Sequence, residues 1–248
     1  VQRYFVEKME QNRFILEGDD RFHIVKVMRM GEGDQIICVG PGGRSAVCKI
    51  AEITGETIAA DVVKWNDGTT ELPIRVAIAS GLPKGDKLEW IIQKGTEMGA
   101  HKFIPFAAAR SVVKLDEKKS GKKAERWQKI AKEAAEQSHR NILPEVLAPV
   151  DFRALLTESE TYDAKLVAYE EESRAGEASV FSDTLSKMAP GDSLLMIFGP
   201  EGGLSEGEVY LLKEHGFKLC GLGPRILRTE TAPLYALAAI SYHLELMR

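Results

Sequence analysis

The chain has 248 residues, with 33 Lys and Arg, 37 Asp and Glu and a formal net charge of −4. That length allows one large or two modest domains with a sizeable core, and 44% hydrophobic with 28% charged residues is a globular composition, not a disordered one. No apolar run reaches the length of a membrane span, and Val1 to Lys8 carries charge where a signal peptide is apolar. Cys38, Cys48 and Cys220 are odd in number and far apart. They speak against a disulfide framework and for a reducing, cytoplasmic setting, with each thiol packed as a small hydrophobe.

Residues 1–70 read as a small β-rich unit. Arg3 to Glu7, Arg13 to Glu17, Gln35 to Val39, Arg44 to Ile53 and Thr57 to Trp65 are short and rich in β-branched or aromatic residues. Glycines punctuate them at Gly31-Glu32-Gly33, Gly40-Pro41-Gly42-Gly43 and Gly55. Asp19 or Asp20 is placed to cap one helix running to about Met30. Short strands plus one helix predict a barrel, and Asn66 to Thr70 reads as the linker to a second domain over 71–248.

From Leu72 the pattern alternates between strand and helix. Ile74 to Ser80 is an apolar strand, and Asp86 to Met98 a helix with Leu88, Ile91, Ile92 and Thr96 on one face. Lys102 to Phe106 is a strand, Lys114 to Lys123 a charged loop, and Lys122 to His139 a long helix. The helix places Trp127, Ile130, Ala131, Ala134, Ala135 and Ser138 on one buried face. Strands follow near Glu145 to Leu147, Ala164 to Tyr169, Ser193 to Phe198 and Phe217 to Gly221, with helices between. This α/β alternation implies a mostly parallel sheet covered on both faces. Ser205-Glu206-Gly207-Glu208 spells a capping box, and His215-Gly216 stops the helix it opens. A last helix follows Thr231-Ala232-Pro233, with Leu234, Leu237, Ala238, Ser241 and Leu244 as its apolar seam.

Charge is unevenly spread. Residues 101–140 hold 11 Lys and Arg against 5 Asp and Glu, whereas Glu158, Glu160, Asp163, Glu170, Glu171, Glu172 and Glu177 outweigh Lys165 and Arg174. A basic zone on an acidic chain fits selective docking on phosphates, or a solvated helix face. The sequence has no G-x-G-x-x-G after its first strand, no P-loop, no H-E-x-x-H and no paired C-x-x-C, and its five histidines are scattered, so no metal site is expected.

Two glycine-marked loops remain. Gly199-Pro200-Glu201-Gly202-Gly203 follows the run Leu194 to Phe198, and Leu222-Gly223-Pro224-Arg225-Ile226-Leu227-Arg228-Thr229-Glu230-Thr231-Ala232 follows Phe217 to Cys220. Each leaves the end of a buried strand, the edge at which open α/β sheets bind ligands. These loops resemble the signature loops of the RsmE family of 16S rRNA (uracil-N3)-methyltransferases, in the SPOUT superfamily. The likeness extends through Lys84 to Gly99, Arg110-Ser111-Val112-Val113, Glu125-Arg126-Trp127 to Ser138, Arg3 to Val6 and His23 to Arg29.

The resemblance implies a PUA-like β-barrel for RNA and a SPOUT α/β domain. Connections are ordinarily unknotted, yet this superfamily threads its C-terminal segment into a deep trefoil knot whose loops bind S-adenosylmethionine (SAM). It also implies a homodimer through the knotted domain, with 16S rRNA, within the 30S subunit, as partner. Cofactor contacts are assigned by resemblance to Gly199, Pro200, Glu201, Gly202, Gly203, Leu222, Gly223, Ile226, Leu227, Arg228, Thr231 and Ala232. Tyr169 and Glu170 are expected as a third wall. Transfer to uridine N3 requires an accessible base and loss of its proton. Arg228 is the candidate to stabilise charge on the uracil carbonyls or to grip phosphate, with Glu201 or Glu230 as proton acceptor. An alternative pairs Arg228 with one of those two acids. For RNA phosphates the candidates are Arg3, Lys26, Arg29, Arg110, Arg126 and Arg140.

Overall fold

A computed structural model describes residues 1–112, 117–171 and 179–247, with 117–119 described by their backbone alone. The chain divides into two compact units, Val1–Glu71 with Ala135–Leu143, and Leu72–Ala134 with Pro144–Arg248.

The first unit is a six-stranded sheet in the order β1-β4-β5-β6-β3-β2. Its strands are β1 (Arg3–Phe5), β2 (Met9–Glu10), β3 (Arg13–Glu17), β4 (Gln35–Val39), β5 (Ser45–Ile53) and β6 (Thr57–Trp65). Alternation sends Phe14 and Leu16, Ile36 and Cys38, and Ile58 and Ala60 into one core. Register shifts in β5 at Val47/Cys48 and Ile50/Glu52 add local twist, which helps the sheet curl around that core as a half-barrel. Cys38 and Cys48 are buried free thiols.

The helix here starts at Gly18, as α1 (Gly18–Phe22), and passes into a π-helical turn over His23–Val27. Asp19 and Asp20 therefore lie in its first turn and do not cap it; Glu17 holds the cap position without a side-chain bond. The helix ends at Val27, short of Met30, before Arg29 takes a φ of 55°.

A buried charge network organises the same unit. Glu71 accepts from Arg140 Nε at 2.8 Å and from its Nη2, and from the amides of Asn141 and Ile142 at 2.7 and 3.0 Å. Arg3 Nη1 donates to Arg140 O at 2.7 Å and to Asn141 Oδ1 at 2.6 Å. These bonds tie Ala135–Leu143 to β1 and to the end of the first segment.

The second unit is a parallel seven-stranded sheet. Its main path runs β10-β8-β7-β12-β11-β13, and β9 also pairs with β8. The strands are β7 (Arg75–Gly81), β8 (Lys102–Ala107), β9 (Glu145–Val146), β10 (Val150–Asp151), β11 (Ala164–Ala168), β12 (Ser193–Phe198) and β13 (Lys218–Cys220). The helices are α2 (Lys87–Glu97), α3 (Glu117–Gln137), α4 (Phe152–Ser159), α5 (Val180–Leu185), α6 (Glu206–Glu214) and α7 (Ala232–Ser241), the last followed by a π-helical turn at Tyr242–Leu246. Both faces of the sheet are covered. Val76, Ile78, Leu194, Met196 and Phe198 pack with α2, α5 and α7, while Ala77, Ala79, Leu195 and Ile197 pack with α4 and α6. Burial on both sides explains the unbroken apolar run of β12.

One helix start, one strand and one helix face differ from expectation. α3 begins at Glu117, not Lys122, so part of the charged stretch read as a loop is helical. Lys114, Leu115 and Asp116 lie outside the described residues, as do Val113, Glu172, Arg174 and Glu177. The strand Val150–Asp151 was too short to stand out by periodicity. The last helix buries Pro233, Ala236, Leu237 and Ile240, leaving Ala238 exposed and Leu234, Ser241 and Leu244 only partly buried. That helix is apolar nearly all round, so its pattern singles out no one face.

Two substitutions test this packing. A Cβ at Gly95 of α2 would lie 2.8 Å from Phe103 Cε1 and 2.9 Å from Cζ, whereas one at Gly121 of α3 would meet nothing within 4 Å. Gly95→Ala is expected to destabilise by about 1–2 kcal/mol despite the helical gain, and Gly121→Ala to stabilise by about 0.5–1 kcal/mol, in urea unfolding. In the first unit, Glu71→Ala removes an ion pair to the buried Arg140 and the acceptor of two amides, an expected loss of about 2–4 kcal/mol in the same assay.

Candidate functional site

Three loops leave adjacent strand ends in the second unit. Residues 169–171 follow β11, 199–204 follow β12 and 221–231 follow β13. Because β12 lies beside β11, and β11 beside β13, their C-terminal loops converge. They wall a cavity of about 580 Å³. The loop after β12 contributes Gly199 to Leu204, the loop after β13 contributes Leu222 and Arg225 to Thr229, and Ala168 to Glu171 form the third side. Ala232, Phe198, Lys87 and Arg110 complete the lining.

Local chemistry shapes the β12 loop. Gly203 N donates to Pro200 O at 2.8 Å, closing a turn in which Gly203 has φ 69°. A Cβ at Gly202 would lie 3.0 Å from Arg110 Cβ and 3.1 Å from its carbonyl oxygen, so glycine lets the two segments touch. The loop then enters α6 through the capping box. Ser205 Oγ accepts from Glu208 N at 3.3 Å, and Glu208 Oε2 accepts from Ser205 N at 2.8 Å. The buried Glu208 also accepts from Ala109 N at 2.8 Å, which anchors the backbone beside Arg110. In the β13 loop, Arg228 O accepts from Thr231 N at 2.8 Å and Ala232 N at 3.0 Å, leading into α7.

The charged groups are arranged differently from the sequence expectation. Lys87 Nζ lies 2.8 Å from Glu201 Oε1 and 3.5 Å from Glu230 Oε2. Burial pushes the Glu201 carboxyl up, but its bond to Lys87 and backbone amides outweigh that and hold it below the usual range. A carboxyl held ionised in this way is a poor proton acceptor, so the geometry gives Glu201 an ion-pairing place in preference to the expected base role. Glu230 shares that lysine and does not line the cavity. Arg228 is exposed on the lining and, among the described residues, forms no ion pair with either acid, which removes the alternative pairing. The Tyr169 hydroxyl is raised by burial and by its bond to Glu171.

Of the fourteen expected cofactor contacts, Gly223 and Thr231 stand off the lining; the others meet there. Sequence reasoning missed Lys87, Ala168, Glu171, Phe198, Leu204, Arg225 and Thr229 as lining residues, and Arg110 was assigned to RNA. Lys87 carried a signal, a cation in the first turn of a helix where the dipole disfavours it. The RNA candidates divide. Lys26 and Arg29 are exposed in the first unit, and Arg126 is exposed in the second but paired with Glu89 at 2.8 Å. Arg3 and Arg140 are 7% and 2% exposed and belong to the Glu71 network. Burial sets those two apart from the exposed candidates, since a guanidinium 7% or 2% exposed has little face to offer a phosphate.

An RNA methyltransferase domain model matches residues 70–241, well over half of the chain, and an RNA methyltransferase PUA domain model matches residues 16–63. The chain belongs to the RNA methyltransferase family of ribosomal RNA small subunit methyltransferase E. It is 58% identical to the Bacillus subtilis (strain 168) enzyme of that name over 253 residues, covering 100% of this chain and 99% of the relative. The Synechocystis relative is 34% identical, covering 90% of this chain and 71% of its own. The Neisseria gonorrhoeae family member, solved bound to S-adenosyl methionine, matches with TM-score 0.82 and 26% identity, covering 97% and 96% of the two chains. The family fold is thus a PUA-like unit followed by an α/β methyltransferase unit, as the motifs implied.

The Lys87–Glu201 pair predicts a pH dependence. With the Glu201 value lowered in the fold, its contribution is present above the ordinary glutamate value of about 4.3 and is lost as pH falls through the lower folded value. Glu201→Gln is expected to flatten that acid limb in a plot of Tm against pH.

Proposed function

We propose that this chain transfers the methyl group of SAM to N3 of a uridine in 16S rRNA of the small ribosomal subunit. The observation that carries this reading is the three-walled cavity at the ends of β11, β12 and β13, in a chain of this family. Its volume suits a cofactor of that size, and its backbone-rich walls offer amides and carbonyls to adenine and ribose. Leu222, Ile226 and Leu227 supply apolar surface for the adenine ring, and Gly199, Gly202 and Gly203 admit close approach. SAM supplies an activated methyl on a sulfonium.

The reaction forms the N3–methyl bond, breaks the sulfur–methyl bond and releases the N3 proton. The target base must leave any pairing to expose that edge. Arg228, exposed on the lining, is the group that stabilises negative charge on the flanking carbonyls. Arg110 and Arg225 add positive potential at the mouth, which suits a phosphate-bearing substrate. Lys26 and Arg29 are the phosphate contacts of the first unit, beside the exposed Phe22, Val27 and Met28.

The reading includes a homodimer and a trefoil-knotted second unit, acting in the cytoplasm on the 30S particle. A dimer is supported by the exposed apolar side chains Tyr235, Tyr242, Leu246 and Met247 at the C-terminal end, with Trp90 exposed on α2, which packs on α7. Among the described residues no helix is long and apolar enough to cross a membrane.

The decisive experiment is methyl transfer from labelled SAM to purified 30S subunits and to deproteinised 16S rRNA, with the product nucleoside identified. N3-methyluridine is the expected product; a ribose 2′-O-methyl product would replace the reading. Arg228→Ala is expected to lower kcat/KM about 10²-fold, measured with the preferred substrate. Tyr242→Asp is expected to shift the protein towards monomer in sedimentation.

A further inference from the structure

α2 opens with a residue that its own helix disfavours. Lys87 occupies the first helical position, where the macrodipole is already positive. A local conflict of this kind persists where something else compensates it. Here the compensation comes from two loops at once, since Glu201 follows β12 and Glu230 follows β13, and Lys87 Nζ reaches both at 2.8 and 3.5 Å.

The turn before α2 is fitted to the same place. Lys84 N donates to Glu201 Oε1 at 3.1 Å, so that oxygen takes two donors from one short segment. Pro200 seats against the end of β7 so closely that a Cβ at Gly81 would lie 2.5 Å from its Cδ. Lys87 itself lines the cavity. Removing the ammonium would leave two carboxylates on separate loops facing each other across the gap it filled, and like charges at close range repel.

We propose that Lys87 is a positioning residue for the cofactor cavity, holding the β12 and β13 loops at the separation that SAM binding needs. This rests on the methyltransferase reading of the cavity. The ammonium acts as a charged pin between loops that share no covalent tie shorter than α6 and β13. Its bond to Glu201 is charge-assisted, its contact with Glu230 is an ion pair at 3.5 Å, and its side chain is only partly buried.

The test is calorimetric titration of SAM into the full chain and its variants, with urea unfolding run on each. Lys87→Met is expected to raise the SAM Kd about tenfold, the worth of one charged hydrogen bond, with the unfolding midpoint little changed. Lys87→Arg restores most of the affinity. Glu201→Gln weakens binding similarly, and the Lys87→Met/Glu201→Gln double variant is no worse than either single, because the bond is already gone. A Lys87→Met protein that binds SAM like the parent overturns the inference, as do losses that multiply in the double variant. A parent protein that binds no SAM overturns the cofactor reading beneath it, a result separable from the first two.

Discussion

β12 lies hydrogen-bonded in parallel between β7 and β11, with Ser193 to Phe198 in continuous register against Arg75 to Ser80 on one side and Leu194 to Phe198 against Ala164 to Ala168 on the other. All six of its residues are buried. Because a one-residue slip would exchange the two faces of the sheet, this register is held by both cores at once. It also places Gly199 beside the ends of β11 and β7, so the cavity follows from strand pairing before any side chain in it is considered. The capping box of α6 then fixes where the β12 loop stops, and Glu208 extends that hold to the backbone of Ala109.

Charge does different work in the two units. Around Glu71 it is buried and extensively hydrogen-bonded, with Arg140, Arg3 and two backbone amides converging on one segment. Such a network adds little net stability over an apolar equivalent, yet breaking it is costly, so it selects one arrangement of Ala135–Leu143. Around Lys87 charge is half exposed and links loops, not core elements. There its role is geometric, setting the spacing of two walls, with little effect on global stability.

The cavity combines an exposed, charged rim with a buried frame. Its floor is the end of a six-residue buried strand, its walls are short turns, and its cations sit on the rim at Arg110, Arg225 and Arg228. A methyltransferase needs that division, because group transfer depends on alignment of the reacting atoms, while exposed cations remain free to meet a substrate.

Much of this was legible in residue order. Strand alternation in Arg13–Glu17 and Thr57–Trp65, the apolar run of β12 and the capping box at Ser205 are local patterns, set by backbone geometry and hydrogen bonding within a few residues. The two glycine loops were equally visible, since no other residue type serves a turn and a close approach so economically in so few positions. Burial of Arg3 and Arg140 was not legible, because their partners are more than sixty residues away from one or both of them, and a lone arginine reads as a surface cation. The buried face of α7 was hidden for the opposite reason, a helix apolar on every side having no period to read. The Lys87 bridge needed four strands, β7, β12, β11 and β13, in register to bring residues 87, 201 and 230 together. Composition and local pattern determined which elements form and where the loops fall; the long-range pairing of parallel strands, which no local signal encodes, determined which side chains meet.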